Sequence, residues 1–169
     1  MHGHADPNGH SGDMHYKHLA IMTVLSFLAM YILMYAMVDR LENVYHSFNQ
    51  VYMAALMASP MVLIELIIMK MMYPDKKKNV VIFAGSFVAL LAFFSFIRFQ
   101  TGISDKQFLR SMIPHHAGAV LMCNEAKISD DDIKSLCNEI IEGQQREIEK
   151  MKAILSRSEE HTSELQSPC

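Results

Sequence analysis

The chain has 169 residues, 51% of them hydrophobic and 20% charged, with a formal net charge of −3. Residues 19–98 carry 10 charged side chains and residues 99–156 carry 16. This segregation excludes one uniform water-soluble globule and points to a membrane part joined to a polar part. The mildly acidic balance excludes a basic nucleic-acid binder, and 9 His and 15 Met without a Trp give the first chemical signal.

Residues 1–18 place His2, His4, His10, His15 and His18 among Gly, Pro and Asp. Such a tail has no material for a core, so it is expected to be disordered until something binds it, with its imidazoles a weak metal site. Leu19–Val38 then runs for 20 residues without a charge, about the ~20 needed to cross a bilayer core. Val51–Met69 is interrupted only by Pro60 and Glu65, and Val80–Ile97 is uncharged. Three such runs in succession predict three transmembrane helices over residues 19–98, with lipid as their partner. The first run is too long for a cleaved leader and lacks a basic flank or small-residue cleavage site.

Basic residues decide the orientation. Lys70, Lys76, Lys77 and Lys78 fall in the second loop against Arg40 alone in the first. The second loop and the N-terminus are therefore expected inside, with everything after Ile97 extracytoplasmic. For a bacterium this means the inner membrane, with the C-terminal part in the periplasm or outside the cell. Glu65 lies near the cytoplasmic end of its span and is expected to snorkel and pair with Lys70. Met30, Met34, Met37 and Met53, Met57, Met61 recur at helical spacing; they are taken as flexible apolar filler rather than a path for a soft cation.

Gln100–Ser104 forms a linker, and Ser104 with Gln107 has the form of a capping box. Apolar positions at helical period follow to Ala126. Ser129 with Asp130, Asp131 and Asp132 marks the next helix start, its acids favourably placed in the first turn. Residues 104–156 thus predict a helical hairpin, making the protein all-α. Pro114 marks either a kink or a boundary inside the first of these helices. Each apolar stripe has a polar break: His115 and His116 in the first helix, Gln144 and Glu147 in the second. Folding about Ser129 sets Met112 level with Glu147, His115 with Gln144 and His116 with Gly143, so the breaks meet. A buried polar group costs roughly 2–7 kcal/mol when unpaired, so coinciding breaks imply mutual pairing or a shared ligand.

Met112, His115, His116, Met122 and Met151 form a soft-to-borderline donor set suited to Cu(I), and by extension Ag(I), with Glu147 as an oxygen ligand and Gln144 as an outer partner. No Glu-x-x-His pair supports a di-iron centre, and no four-ligand Cys/His spacing supports structural zinc. The alternative is a His–Glu contact that only sets hairpin register. A metal-dependent oxidase would need open coordination, so a binding protein is expected rather than an enzyme. Cys123 and Cys137 also fall level, either as a disulfide or as extra soft ligands. Residues 157–169 begin with a stretch, Arg157–Ser167, that resembles a translated sequencing-adapter oligonucleotide. The natural C-terminus would then be missing, and His161 and Cys169 are expected to be foreign to the fold.

Residues 105–155 resemble the domain of unknown function 305 family, with the pattern F-x-x-x-M-I-P-H-H-x-x-A-x-x-M followed by I-I-x-x-Q-x-x-E-I-x-x-M. Phe108, Met112, Ile113, Pro114, His115, His116, Ala119 and Met122 meet the first part; Ile140, Ile141, Gln144, Glu147, Ile148 and Met151 meet the second. The three-span, His-rich-headed arrangement resembles a membrane-anchored subgroup. The resemblance implies a ferritin-like helical fold and copper or silver binding in the periplasm, alongside copper-handling proteins. It also implies a homodimer, since one hairpin is half a four-helix bundle. Cys123 and Cys137 depart from the family, which usually has small residues there.

Overall fold

A computed structural model describes the backbone of residues 9–166 and the side chains of residues 14–160. The described chain is all-α, with α1 (Gly9–Leu33), α2 (Phe48–Ile68), α3 (Lys76–Phe99), α4 (Asp105–Glu125) and α5 (Asp131–Gln166). Short 3₁₀ turns occupy Met34–Met37 and Leu41–Asn43, and there is no strand among the described residues. Two compact units emerge. One joins the described residues up to Leu33 with Val51–Thr101; the other joins Met34–Gln50 with the described residues from Gly102 onward.

The stretches Met14–Met37, Phe48–Ile68 and Lys76–Phe99, most of whose length lies in the first unit, are long and apolar enough to cross a membrane. Leu25, Ile32, Ile67, Val81 and Val88 project outward, a surface that water penalises and lipid does not. Met53 and Met57 are exposed as well. Helix α1 begins at Gly9, before the apolar run, so residues 9–18 are helical rather than disordered. His2 and His4 lie outside the described residues. Leu19, Val62, Leu66 and Tyr73 form the core, flanked by Tyr16, Met22, Met69 and Ile82. The Tyr16 hydroxyl donates to Asn79 Oδ1 at 2.7 Å, bringing the start of α1 to the start of α3. The Asp75 carboxylate caps α3 by accepting from the backbone N–H groups of Lys77 and Lys78 at 2.9 and 3.1 Å. Gln100 (φ 50°) and Gly102 (φ 72°) adopt left-handed backbone that ends α3 and turns the chain. Glu65 accepts from the Tyr73 hydroxyl at 3.3 Å, so its observed partner is that phenol rather than Lys70.

In the second unit α4 and α5 run antiparallel. A disulfide joins Cys123 to Cys137 where the chain reverses, and Arg110 pairs with Glu159 at 2.7 Å toward the other end. Between them Ile113, Ala117, Ile148 and Leu155 form the core, with Leu109 and Met151 against it. Ser104 Oγ accepts from Gln107 N–H as expected, but Gln107 does not complete a reciprocal box. Its Oε1 accepts instead from the Phe48 N–H at 2.9 Å. Asp130, not Ser129, caps α5, accepting from Asp132 and Ile133 N–H at 3.0 and 3.1 Å. Helix α4 passes unbroken through the buried Pro114, so that residue is not a boundary. The residues from Arg157 continue α5 to Gln166.

The connection Met34–Gln50 belongs with α4 and α5 rather than with the three apolar helices. Val38 and Tyr45 pack on the same core. Gly118 permits this approach, because a Cβ there would lie 3.3 Å from the Met37 carbonyl oxygen. Replacing Gly118 by Val is expected to destabilise this unit by about 1–3 kcal/mol through overpacking, measured as lost hydrogen-exchange protection in α4.

Candidate functional site

The periodicity of α4 puts Met112 and His116 one turn apart on one face, and that of α5 does the same for Glu147 and Met151. His116 Nδ1 lies 3.0 Å from a Glu147 carboxylate oxygen, with the His116 side chain 13% exposed and that of Glu147 58% exposed. The separation is that of an ion pair, but the oxygen lies off the line a ring N–H requires, so the buried Nδ1 has no hydrogen-bond partner. Burial chiefly holds the His116 pKa below its ordinary value of 6.5, and neighbouring His115 adds to this, while the Glu147 charge pulls the other way. Burial thus favours the neutral form of this imidazole.

That shift has a stability consequence. Near pH 6.5 the unfolded chain binds more protons at this site than the native chain, so stability from His116 is fully present above 6.5 and declines as pH falls below it. Thermal melts of the full chain between pH 7.5 and pH 5 are expected to show this decline. His116→Gln should flatten that component; an unchanged profile would contradict it.

The register differs from simple folding about Ser129, since His116 meets Glu147 rather than Gly143. Helical side chains lean toward their own N-terminus. His116 therefore reaches away from the reversal while Glu147 reaches toward it, and the two meet between their levels. Gly143, one turn before Glu147 on the same face, has no atom within 4 Å of where a Cβ would stand.

The other expected ligands are dispersed. His115 is exposed, its ring centroid 6.0 Å from that of His116 and tilted by 59°, because successive residues diverge by about 100° around a helix. Met122 is 54% exposed. Met112 and Gln144 are half-buried, and Met151 packs against the unit's core. The Cys123–Cys137 disulfide, with Cα atoms 5.3 Å apart, takes both sulfurs out of the soft-ligand set. No group of three His, Cys, Asp or Glu is gathered as a metal site among the described residues. What converges is one imidazole and one carboxylate, with a thioether one turn from each. His15 packs edge-on against Tyr73 with centroids 6.5 Å apart, and His18 is exposed. His10 lies in α1 outside the described side chains.

Two features escaped the sequence pattern: the packing of segment 34–50 on α4, and a polar cavity beside that segment. Val38 and Tyr45, apolar residues flanking a charged loop, were the available signal for the first.

The family model described as Domain of unknown function (DUF305) matches residues 98–166. "Uncharacterized protein L153" of Acanthamoeba polyphaga mimivirus is 32% identical over 140 residues, covering 81% of this chain and 90% of that protein. That alignment is longer than the family match, so the similarity extends into the apolar half that precedes it. No solved structure matches the chain. The spacing of His115, His116, Gln144 and Glu147, the family match and the similarity across most of both chains lead to one assignment: the chain belongs to the DUF305 family.

Proposed function

We propose that this is a membrane-anchored protein that binds a soft monovalent cation, Cu(I) or Ag(I), on the α4–α5 pair for sequestration or hand-off. One observation carries the reading: the His116 imidazole and the Glu147 carboxylate meet at 3.0 Å, with the Met112 and Met151 thioethers one helical turn from His116 and Glu147. Thioether with imidazole favours soft cations over Mg or Ca, and the described residues do not gather the four ligands of structural zinc. His116, Met112 and Met151 would hold the ion, Glu147 would orient the imidazole or complete the shell, and Gln144 would serve as an outer partner. His115 and Met122 are the rim residues of this proposal. The bound ion would supply a soft electrophile for transfer, not a reaction centre.

The topology proposed is N-terminus and Lys-rich loop inside, α4 and α5 outside, in a bacterial inner membrane. The direction rests on the lysine-rich loop; that segment 34–50 and α4–α5 lie on one side is supported by parity, since they share one unit, as two intervening crossings require. The start of α1 and the loop before α3 likewise share the other unit. An antiparallel pair of helices is half a ferritin-like bundle. Phe108, Ile133 and Leu136, each about half exposed, support a homodimer closing it.

The competing reading, a purely structural His116–Glu147 contact in an interaction module, is favoured by the absence of a third His, Cys, Asp or Glu at the pair. Anaerobic Cu(I) titration of the full chain against a competing chelator separates the two. Binding that weakens about 100-fold in His116→Ala with helicity retained supports the metal site. Absence of Cu(I) binding by the native chain, or loss of helicity in His116→Ala without any change in affinity, supports the structural reading.

A further inference from the structure

Positive charge gathers at one end of the first unit. Tyr16, near the start of α1, packs at a tilt on Tyr73 with ring centroids 5.2 Å apart, and its hydroxyl reaches Asn79 in the first turn of α3. Lys78 Nζ stands 5.3 Å over the Tyr16 ring, and Tyr73 donates to Glu65 near the end of α2. These contacts bring the start of α1, the end of α2 and the start of α3 together. Lys17, Lys70, Lys76, Lys77 and Lys78 belong to that end and are exposed. Each lies within three residues of an end of one of the three apolar stretches. Among the described side chains of this unit the carboxylates are Glu65 and Asp75, and both are engaged, Glu65 by the Tyr73 hydroxyl and Asp75 by the first amides of α3. Five lysines therefore surround two occupied carboxylates, whereas Arg98 marks the other end of α3. Met71, in the turn between Lys70 and Lys76, is 93% exposed.

We infer that this end of the three-helix unit is a binding surface for the headgroups of anionic phospholipids, an inference that rests on the membrane anchoring proposed above. Ammonium groups in excess where apolar helices end attract lipid phosphates, and each lysine near the surface strengthens the attraction about fivefold. Orientation accounts for the sign of this end. It does not account for the aromatic pair and the bare methionine set among the lysines. Tyrosine rings suit headgroup depth, and lysine stems lie along apolar surface there while their charges stay in water. At that depth the exposed Met71 side chain enters the acyl boundary while the lysines beside it meet phosphate. Because α1, α2 and α3 each contribute, one layer of headgroups ties the three helix ends together. A soluble polyanion is a poorer occupant, since it offers nothing to Met71.

The test reconstitutes the full chain in nanodiscs of equimolar phosphatidylglycerol and phosphatidylcholine and identifies the lipids it retains by native mass spectrometry. Phosphatidylglycerol is expected to be retained at least about tenfold over phosphatidylcholine. Replacing Lys70, Lys76 and Lys77 together by Gln, exposed changes outside the core, should bring the two lipids within about twofold. Lys70→Gln alone should lower the preference severalfold, and it serves where the triple variant does not fold. Arg98→Gln, at the other end of α3, should leave the preference intact, as should an excess of inorganic phosphate. Equal retention of both lipids, a preference that survives the lysine replacements, or the same loss in Arg98→Gln overturns the inference. Collapse of the preference in phosphate overturns the choice of a lipid. Alkaline carbonate extraction from phosphatidylcholine liposomes tests the anchoring separately. Release of the native chain overturns both readings, whereas firm insertion without a phosphatidylglycerol preference overturns this one alone.

Discussion

Replacing Cys137 by Ser, or reducing the full chain with a thiol, is expected to destabilise the α4–α5 pair by about 3 kcal/mol, the loop-closure value for some 15 residues. The Cys123–Cys137 bridge spans a sequence separation of 14 and stands where α4 ends and α5 begins. Breaking it frees the reversal segment, which has few other ties. Asp130 caps α5, while Ile133 and Leu136 are half exposed and contribute little burial. The loss should be local. Hydrogen-exchange protection should fall by roughly 100-fold in the first turns of α5, with α2 and α3 unaffected. Protection unchanged after reduction would mean that packing alone holds the helices. The bridge also bears on the site. It takes both sulfurs out of the candidate ligand set and anchors the register from which His116 and Glu147 meet. Reduced protein should therefore bind Cu(I) differently, through two additional thiols rather than through a weakened imidazole site.

Ile113→Ala is expected to cost about 2–5 kcal/mol, the range for truncating a fully buried aliphatic residue. Ile113 has no exposed surface and packs in one cluster with Ala117, Ile148 and Leu155. Its neighbours cannot easily collapse into the void, because Ala117 is already small and Pro114 constrains the backbone one residue away. The effect should reach segment 34–50 as well, since Val38 and Tyr45 pack on that cluster. Denaturant titration with hydrogen exchange resolved by segment is the measurement. A loss below about 1 kcal/mol would show that the cluster repacks and that α4 is not the organising element of this unit. Ile113→Val, which removes one methylene, should cost only about 0.5–1.5 kcal/mol and serves as the graded control.

Much of this fold is legible in the amino-acid order because it follows from local rules. Apolar runs of bilayer length give α1, α2 and α3. Ser104 caps α4, and Gly102 turns the chain before it. Cys123 and Cys137 face each other because they flank the reversal closely, where little register error accumulates. Farther along, at His116, the lean of side chains toward their own N-termini shifts the partner to Glu147, which counting residues from Ser129 does not capture. Non-local partners were likewise hidden. Gln107 accepts from Phe48, Tyr73 reaches Glu65, and Gly118 admits the Met37 carbonyl; none follows from spacing. His115 looked equivalent to His116 in the sequence, yet the helix turns one ring out and the other in.

The proposed metal site stands or falls on His116 as a ligand. X-ray absorption at the copper edge of Cu(I)-loaded full-length protein reads this most directly. The expected spectrum contains sulfur scatterers together with one imidazole, and the imidazole contribution disappears in His116→Ala. A spectrum lacking sulfur, or one identical in native and His116→Ala proteins, would contradict the assignment and leave the His116–Glu147 contact as a structural feature of the pair.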